Sequence, residues 1–150
     1  MSDMSDDAKR QQIDAMYRKS RRSFPEVPEL TAEEFMALRD KEKVLLVDVR
    51  TDEERAVSMI PGAVSSLHFE QHQSDYDGGM VAVYCTVGHR SGHYAKELHA
   101  GGWRVFNLKG AILSWTHAGG PLENADGPTR KVHVNNPRCD LVAEGYESVW

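Results

Sequence analysis

Cysteine is scarce in this chain: 150 residues hold only two, Cys85 and Cys139. They lie far apart in unlike surroundings, which speaks against a disulfide framework, so each is expected to be a free thiol. Long apolar runs are missing, and nothing approaches the roughly 18 to 20 residues of a membrane span. The opening MSDMSDDAKR has neither the apolar core of a secretory signal nor the acid-poor character of a transit peptide. The expected location is cytoplasmic, with no membrane partner. Cationic excess is absent as well: a formal net charge of -5 argues against a surface built mainly to hold nucleic acid. One local exception is YRKSRRS, with Arg18, Lys19, Arg21 and Arg22, which reads as the solvated end of a terminal helix and alternatively as a contact for an acidic partner. There is no internal repeat or low-complexity tract. What is present, 40% hydrophobic and 27% charged residues, suits one compact domain with a real core.

Residues from about Asp7 to Ser20 place Ile13, Met16 and Tyr17 on one narrow apolar stripe, so a helix is expected there, docked weakly. Pro25 and Pro28 then mark a linker. Residues 1–27 are accordingly assigned to an N-terminal helix and linker, 28–121 to the globular domain, and 122–150 to an extended tail. In LTAEEF, Thr31 and Glu34 form a capping box and Leu30 can staple onto Phe35, starting a helix that ends near Lys41. VLLVDV (residues 44–49) and MVAVYC (residues 80–85) are apolar and β-branched, as expected for strands covered on both faces. TDEERAV reads as a short helix, IPGAV as a turn into a short strand, RVFNL as a strand, and GAILSWTHAGG as a last helix. The helix in GHYAKELHAGG presents Tyr94, Ala95 and Leu98 on one face and stops at Gly101 and Gly102. Strands alternating with helices predict an α/β fold of three layers, a central parallel sheet with helices on both faces. In such sheets functional groups gather beyond the carboxyl ends of strands, where Cys85 sits. The tail from about Pro121 is expected to wrap over the domain in extended form or to be partly disordered.

The chemistry concentrates in YCTVGHRSG. If a strand precedes CTVGHRS and a helix follows it, Cys85 lies where backbone N–H groups and a helix N-terminus converge, a geometry that binds anions. That field and the guanidinium of Arg90 favour a thiolate. Gly88 lets the loop turn its amides toward the sulfur, His89 and Ser91 add donors, and His89 can change charge near neutrality. A buried strand-end cysteine would be inert. Packing alone, however, gives no reason for a glycine, an arginine and a serine to follow it at this spacing.

Three stretches together resemble the single-domain rhodanese-like sulfurtransferases, from about Pro28 to Pro121. They are LLVDVRTDEERAVSMIPGAV, YCTVGHRSG with its Cys-x-x-Gly-x-Arg spacing, and GWRVFNLKGAILSW with Gly110 and Trp115. The resemblance implies a rhodanese-like fold and a catalytic Cys85 that carries a persulfide. Thr86, Val87, Gly88, His89, Arg90 and Ser91 would bind the persulfide or incoming anion. The sulfur would move from thiosulfate or a persulfide donor to a thiol or cyanide acceptor, a protein acceptor included, by ping-pong kinetics and with no cofactor.

Two departures stand out. The family usually has Gly-His before Ile-Pro-Gly-Ala, whereas this chain has Ser58 and Met59, and Thr86 and Val87 replace a basic side chain carried by some thiosulfate-using members. Rival readings remain open. Rhodanese relatives that cleave phosphate or reduce arsenate need a wider loop, and the phosphatase spacing is Cys-x5-Arg where CTVGHR is Cys-x4-Arg. The extra helix, its basic run and the long tail motivate a non-catalytic sulfur carrier or protein-binding module. Cys139, in NNPRCDLV, is read as a tolerated thiol, with a sulfur relay or disulfide to Cys85 as the alternative. Asp48, Arg50 and Glu54 are expected to form one ion-pair network supporting the strand-to-helix turn, with Arg50 near the pocket. The pairs His68/His72 and His89/His93 have metal-like spacing, but HFEQHQSD reads as a loop, and no metal site is assigned.

Overall fold

The two apolar runs become the middle of one sheet. In the computed structural model, which describes residues 4–150, the chain begins with α1 (Asp6–Arg21), β1 (Glu29–Leu30), α2 (Ala32–Lys41), β2 (Val44–Asp48), α3 (Asp52–Val57) and β3 (Val64–Ser65). Then come α4 (Ser66–Gln71), α5 (Gln73–Tyr76), β4 (Met80–Tyr84), α6 (His89–Ala100), β5 (Arg104–Leu108) and α7 (Ala111–His117). The remainder holds β6 (Leu122–Asn124), β7 (Gly127–Thr129), β8 (Lys131–His133), a 3-10 turn at Pro137–Cys139, and β9 (Glu147–Val149). The sheet runs β1-β5-β4-β2-β3 with every pairing parallel, and helices flank it to give the expected three-layer α/β fold. All five residues of β4 are buried because the strand is paired on both edges and covered on both faces. Its last residue, Tyr84, hands the chain directly to Cys85.

The caps explain where the helices start. Thr31 and Glu34 form the expected capping box on α2, and Thr51 and Glu54 form a second one on α3. The segment HFEQHQSD differs from its expected loop: it contributes to α4 and α5, with Ser65 capping the first and Phe69 fully buried as its anchor. The helix after the cysteine loop also begins earlier than expected, at His89, because Gly88 reverses the chain at φ +124°, open to glycine and strained for other residues.

Both flanking segments pack more closely than their sequence suggests. Ile13 and Tyr17 of α1 are 2% and 1% exposed, so the narrow stripe is deeply docked, against α6 and α7. Full burial of a side chain of that size contributes about 1.5–3 kcal/mol. The tail wraps the domain in short extended pieces: β6 and β7 form a hairpin, β8 pairs with β9 in parallel, and Val132, Val134, Leu141 and Val142 enter the core. Tail and helix meet where Lys9 Nζ donates to Val142 O at 2.9 Å. In the basic run Arg18, Lys19 and Arg22 are solvated as expected, with Arg18 paired to Asp14 at 2.7 Å, while Arg21 is half-buried beside Glu29 at 3.4 Å.

Candidate functional site

The sulfur of Cys85 lies under the first turn of α6. It accepts hydrogen bonds from Gly88 N at 3.2 Å and from Ser91 N at 3.4 Å, with Ser91 Oγ also at 3.4 Å. Ser91 N belongs to the unpaired amides of a helix start, so the sulfur does what a capping side chain would do. The residue is 2% exposed. These donors and the helix N-terminus stabilise a negatively charged sulfur.

The cradle is braced from beneath by Asn107 of β5, a residue the sequence reading passed over. Ser91 Oγ donates to Asn107 Oδ1 at 2.7 Å, and Asn107 Nδ2 donates to Gly88 O at 3.0 Å and to the Tyr17 hydroxyl at 3.4 Å. Tyr17 in turn donates to Glu29 Oε2 at 2.6 Å, while burial, followed by that carboxylate, pushes its phenol well above the usual value. In the sequence Asn107 is one polar residue between Phe106 and Leu108, and only the fold shows its amide to be fully buried.

Arg90 is placed differently from a free anion clamp. Its Nη1 and Nη2 donate to the two carboxylate oxygens of Glu54 at 2.8 and 2.9 Å, and Nη2 also reaches Thr86 Oγ1 at 3.0 Å. Burial alone would raise the Glu54 carboxyl, but the Arg90 hydrogen bond and the Thr51 donors outweigh it and bring the value down to about 2. The expected Asp48, Arg50 and Glu54 network divides into two hydrogen-bonded groups that still act on each other through charge. Glu54 belongs to the loop, whereas Asp48 and Arg50 pair at 2.7 Å in full burial, with Tyr84 donating to Asp48 at 2.7 Å and Arg50 donating to Ser58 O at 2.7 Å. Arg50 does not line the cleft above Cys85. Ser58 serves through its backbone carbonyl, which any residue offers, consistent with its departure from the usual family pattern.

A cleft of about 530 Å³ opens over Cys85. From the loop it is lined by Thr86, Val87, His89 and Arg90; α1 contributes Met16, Lys19 and Ser20; the tail contributes Asn135, Arg138 and Cys139. The structure thus places Thr86, Val87, His89 and Arg90 around one opening, leaves Gly88 and Ser91 behind the sulfur, and adds two walls that the sequence reading did not place there. Asn135 Nδ2 donates to Thr86 Oγ1 at 3.1 Å, and His89 Nδ1 meets Ser20 Oγ at 3.1 Å. Partial burial, together with His93 and Arg90, lowers the pKa of His89 and favours its neutral form. His68 and His72 stack with ring centroids 4.2 Å apart, and among the described residues no three His, Cys, Asp or Glu side chains converge as metal ligands. Among them, too, no helix is long and apolar enough to cross a membrane.

Comparison with known proteins identifies the family of the fold that carries this site. The rhodanese-like domain family model matches residues 31–118. A sulfurtransferase of Allochromatium vinosum is 37% identical over 97 residues, covering 60% of this chain and 88% of the relative. Among solved structures, thiosulfate sulfurtransferase from Pseudomonas aeruginosa superposes with a TM-score of 0.59 at 27% identity, over 75% of this chain and 23% of that one. A Rhodopseudomonas palustris protein described as a "Possible Tyrosine Phosphatase" superposes with a TM-score of 0.56 at 28% identity, over 74% of this chain and 93% of its own. With the matched region covering β2 to β5 of the sheet, the cysteine loop and the closing helix, the chain belongs to the rhodanese-like domain family.

Proposed function

We propose that the protein is a sulfurtransferase in which Cys85 carries the transferred sulfur as a persulfide. The observation that supports this most is the convergence of Gly88 N, Ser91 N and Ser91 Oγ on Cys85 Sγ at the start of a helix. The Cys85 thiolate attacks the outer sulfur of thiosulfate or of another persulfide, and the donor leaves as its anion. The remaining amides of the loop, at Thr86, Val87, His89 and Arg90, supply dipoles for the outer sulfur, as an oxyanion hole does for oxygen. A thiol or cyanide then takes that sulfur and restores Cys85. Thr86 and Val87 bring no charge, but Lys19 and Arg138 line the same cleft and supply it from outside the loop for an anionic donor.

The similarity to a protein described as a possible phosphatase gives the second reading its basis. Against it stand the four residues between Cys85 and Arg90 and the engagement of both Arg90 terminal nitrogens by Glu54 and Thr86. A phosphoryl group would need that guanidinium for its own oxygens. The test supplies thiosulfate and cyanide in one assay and an aryl phosphate in another. Thiocyanate formation that disappears in Cys85→Ser supports sulfur transfer. Aryl phosphate hydrolysis through Cys85, without sulfur loading, reverses the ranking.

A further inference from the structure

Cys85 shares its cleft with a second thiol. Cys139 closes the 3-10 turn Pro137–Cys139, is 7% exposed, and lines the cleft together with Cys85. Hydrogen bonds within its turn hold Cys139 at the wall of this cleft. Asn136 accepts from Arg138 N at 3.0 Å through its side chain and from Cys139 N at 3.1 Å through its carbonyl, shaping the turn. Just before it, Asn135 sits at φ +75°, a left-handed conformation that Asn tolerates better than most residues. From there it reaches Thr86, the residue after Cys85. The segment bearing Cys139 is thereby tied to the loop bearing Cys85.

We propose that Cys139 is the first acceptor of the sulfur, making the two cysteines an internal relay; this rests on the Cys85 persulfide proposed above. Cys139 loses its thiol proton to solvent, and its thiolate attacks the outer sulfur of Cys85–S–SH. A new S–S bond forms on Cys139, the S–S bond of Cys85 breaks, and the electron pair stays on Cys85 as thiolate. The products are Cys85–S⁻ and Cys139–S–SH, and no outside oxidant or reductant is needed. The outer atom is the target because the inner one is 2% exposed and held by the Gly88 and Ser91 donors, which also make the Cys85 thiolate a good leaving group. A persulfide also extends the reach of Cys85 by about 2 Å, one S–S bond. Burial pushes the Cys139 thiol above its usual value, with the Cys85 charge adding to this and Arg138 and Arg90 opposing it.

The experiment uses the full chain, treated with thiosulfate, alkylated with iodoacetamide without reductant, digested, and mapped by mass for sulfane sulfur on each cysteine peptide. A parallel sample treated with inorganic polysulfide covers the case of a poor thiosulfate response. In the wild type, sulfur is expected on both the Cys85 and the Cys139 peptides. In Cys85→Ser it is expected on neither, and in Cys139→Ser on Cys85 alone, with release to a thiol acceptor slowed about tenfold. Sulfur confined to Cys85 in the wild type, with normal turnover in Cys139→Ser, overturns the relay while leaving the sulfurtransferase reading intact. Equal loading of Cys139 in Cys85→Ser, or a Cys85–Cys139 disulfide with release of sulfide, also overturns it. Absence of sulfur from Cys85 in both treatments overturns the relay and the sulfurtransferase reading together. The wild-type map needs no variant, and Cys139→Ala provides a second substitution should the serine disturb the turn.

Discussion

Ser91 does two things at once. Its amide and hydroxyl both face Cys85 Sγ, and the hydroxyl proton is shared with Asn107 Oδ1 at 2.7 Å. Ser91→Ala keeps the amide but removes the hydroxyl, so sulfur transfer is expected to fall about tenfold to a hundredfold in kcat, within the scale of losing one donor to a developing anion. Steady-state assays on a variant with unchanged circular dichroism check this. In the proposed mechanism the Arg90 guanidinium, paired with Glu54 and Thr86, is a positioning group. Arg90→Lys cannot reproduce a two-pronged contact with a carboxylate and is expected to lower kcat more than it raises KM. Equal activity in Arg90→Lys would remove the need for the paired geometry. Cys85, Gly88, Arg90 and Ser91 were legible in the sequence because their chemistry and spacing are local. Asn107 was not, because its partners come from α6 and α1 and are joined only by the folded sheet.

At the scale of elements, two glycines let α1 and the segment after it pack closely on the cysteine loop and on α6. Gly88 combines φ +124° with the ring of Tyr17, whose nearest carbons lie 2.7 Å from where a Cβ would be. Gly92 faces Phe24, whose ring would meet an added Cβ at 2.1 Å. Gly88→Ala is expected to lose about 1–3 kcal/mol from backbone strain alone, and the displaced Tyr17 adds to that. Tyr17→Phe keeps the ring but deletes the bond to Glu29, with an expected loss of about 1–2 kcal/mol. Urea denaturation with an unchanged slope measures both. The strands and capped helices were legible because hydrophobic period and capping residues are written locally, as in VLLVDV and LTAEEF. The depth of α1 was not, since three apolar residues on a polar helix do not reveal that a groove between α6 and α7 awaits Tyr17. HFEQHQSD carries no local helix signal, because Phe69 is the one buried anchor of α4.

Across the whole molecule, α1 and the tail close two sides of a cleft whose floor is the cysteine loop, so segments outside the matched family region shape the candidate site. Their sequence gave few clues because the tail's buried valines and its Asn135 act through contacts with distant parts of the chain. The same interdependence predicts an acid limit. The folded value of Glu54, about 2, lies below its usual 4.5, so its contribution to stability is complete above the usual value and is lost as pH falls from about 4.5 to about 2. Glu54→Gln is expected to flatten that part of the stability profile and to cost about 1–3 kcal/mol at neutral pH. Denaturation midpoints of both proteins across this range check the sign: a variant that loses stability in parallel with the wild type would show that the carboxylate is not responsible.

The central claim is that Cys85 holds the transferred sulfur, and intact mass tests it most directly. Wild type and Cys85→Ser are incubated with thiosulfate or inorganic polysulfide, freed of donor, and weighed without reductant. The wild type is expected to gain sulfur that cyanide removes, and Cys85→Ser to gain none. A wild type that gains no sulfur from either donor, or a Cys85→Ser protein that gains as much, would contradict the account.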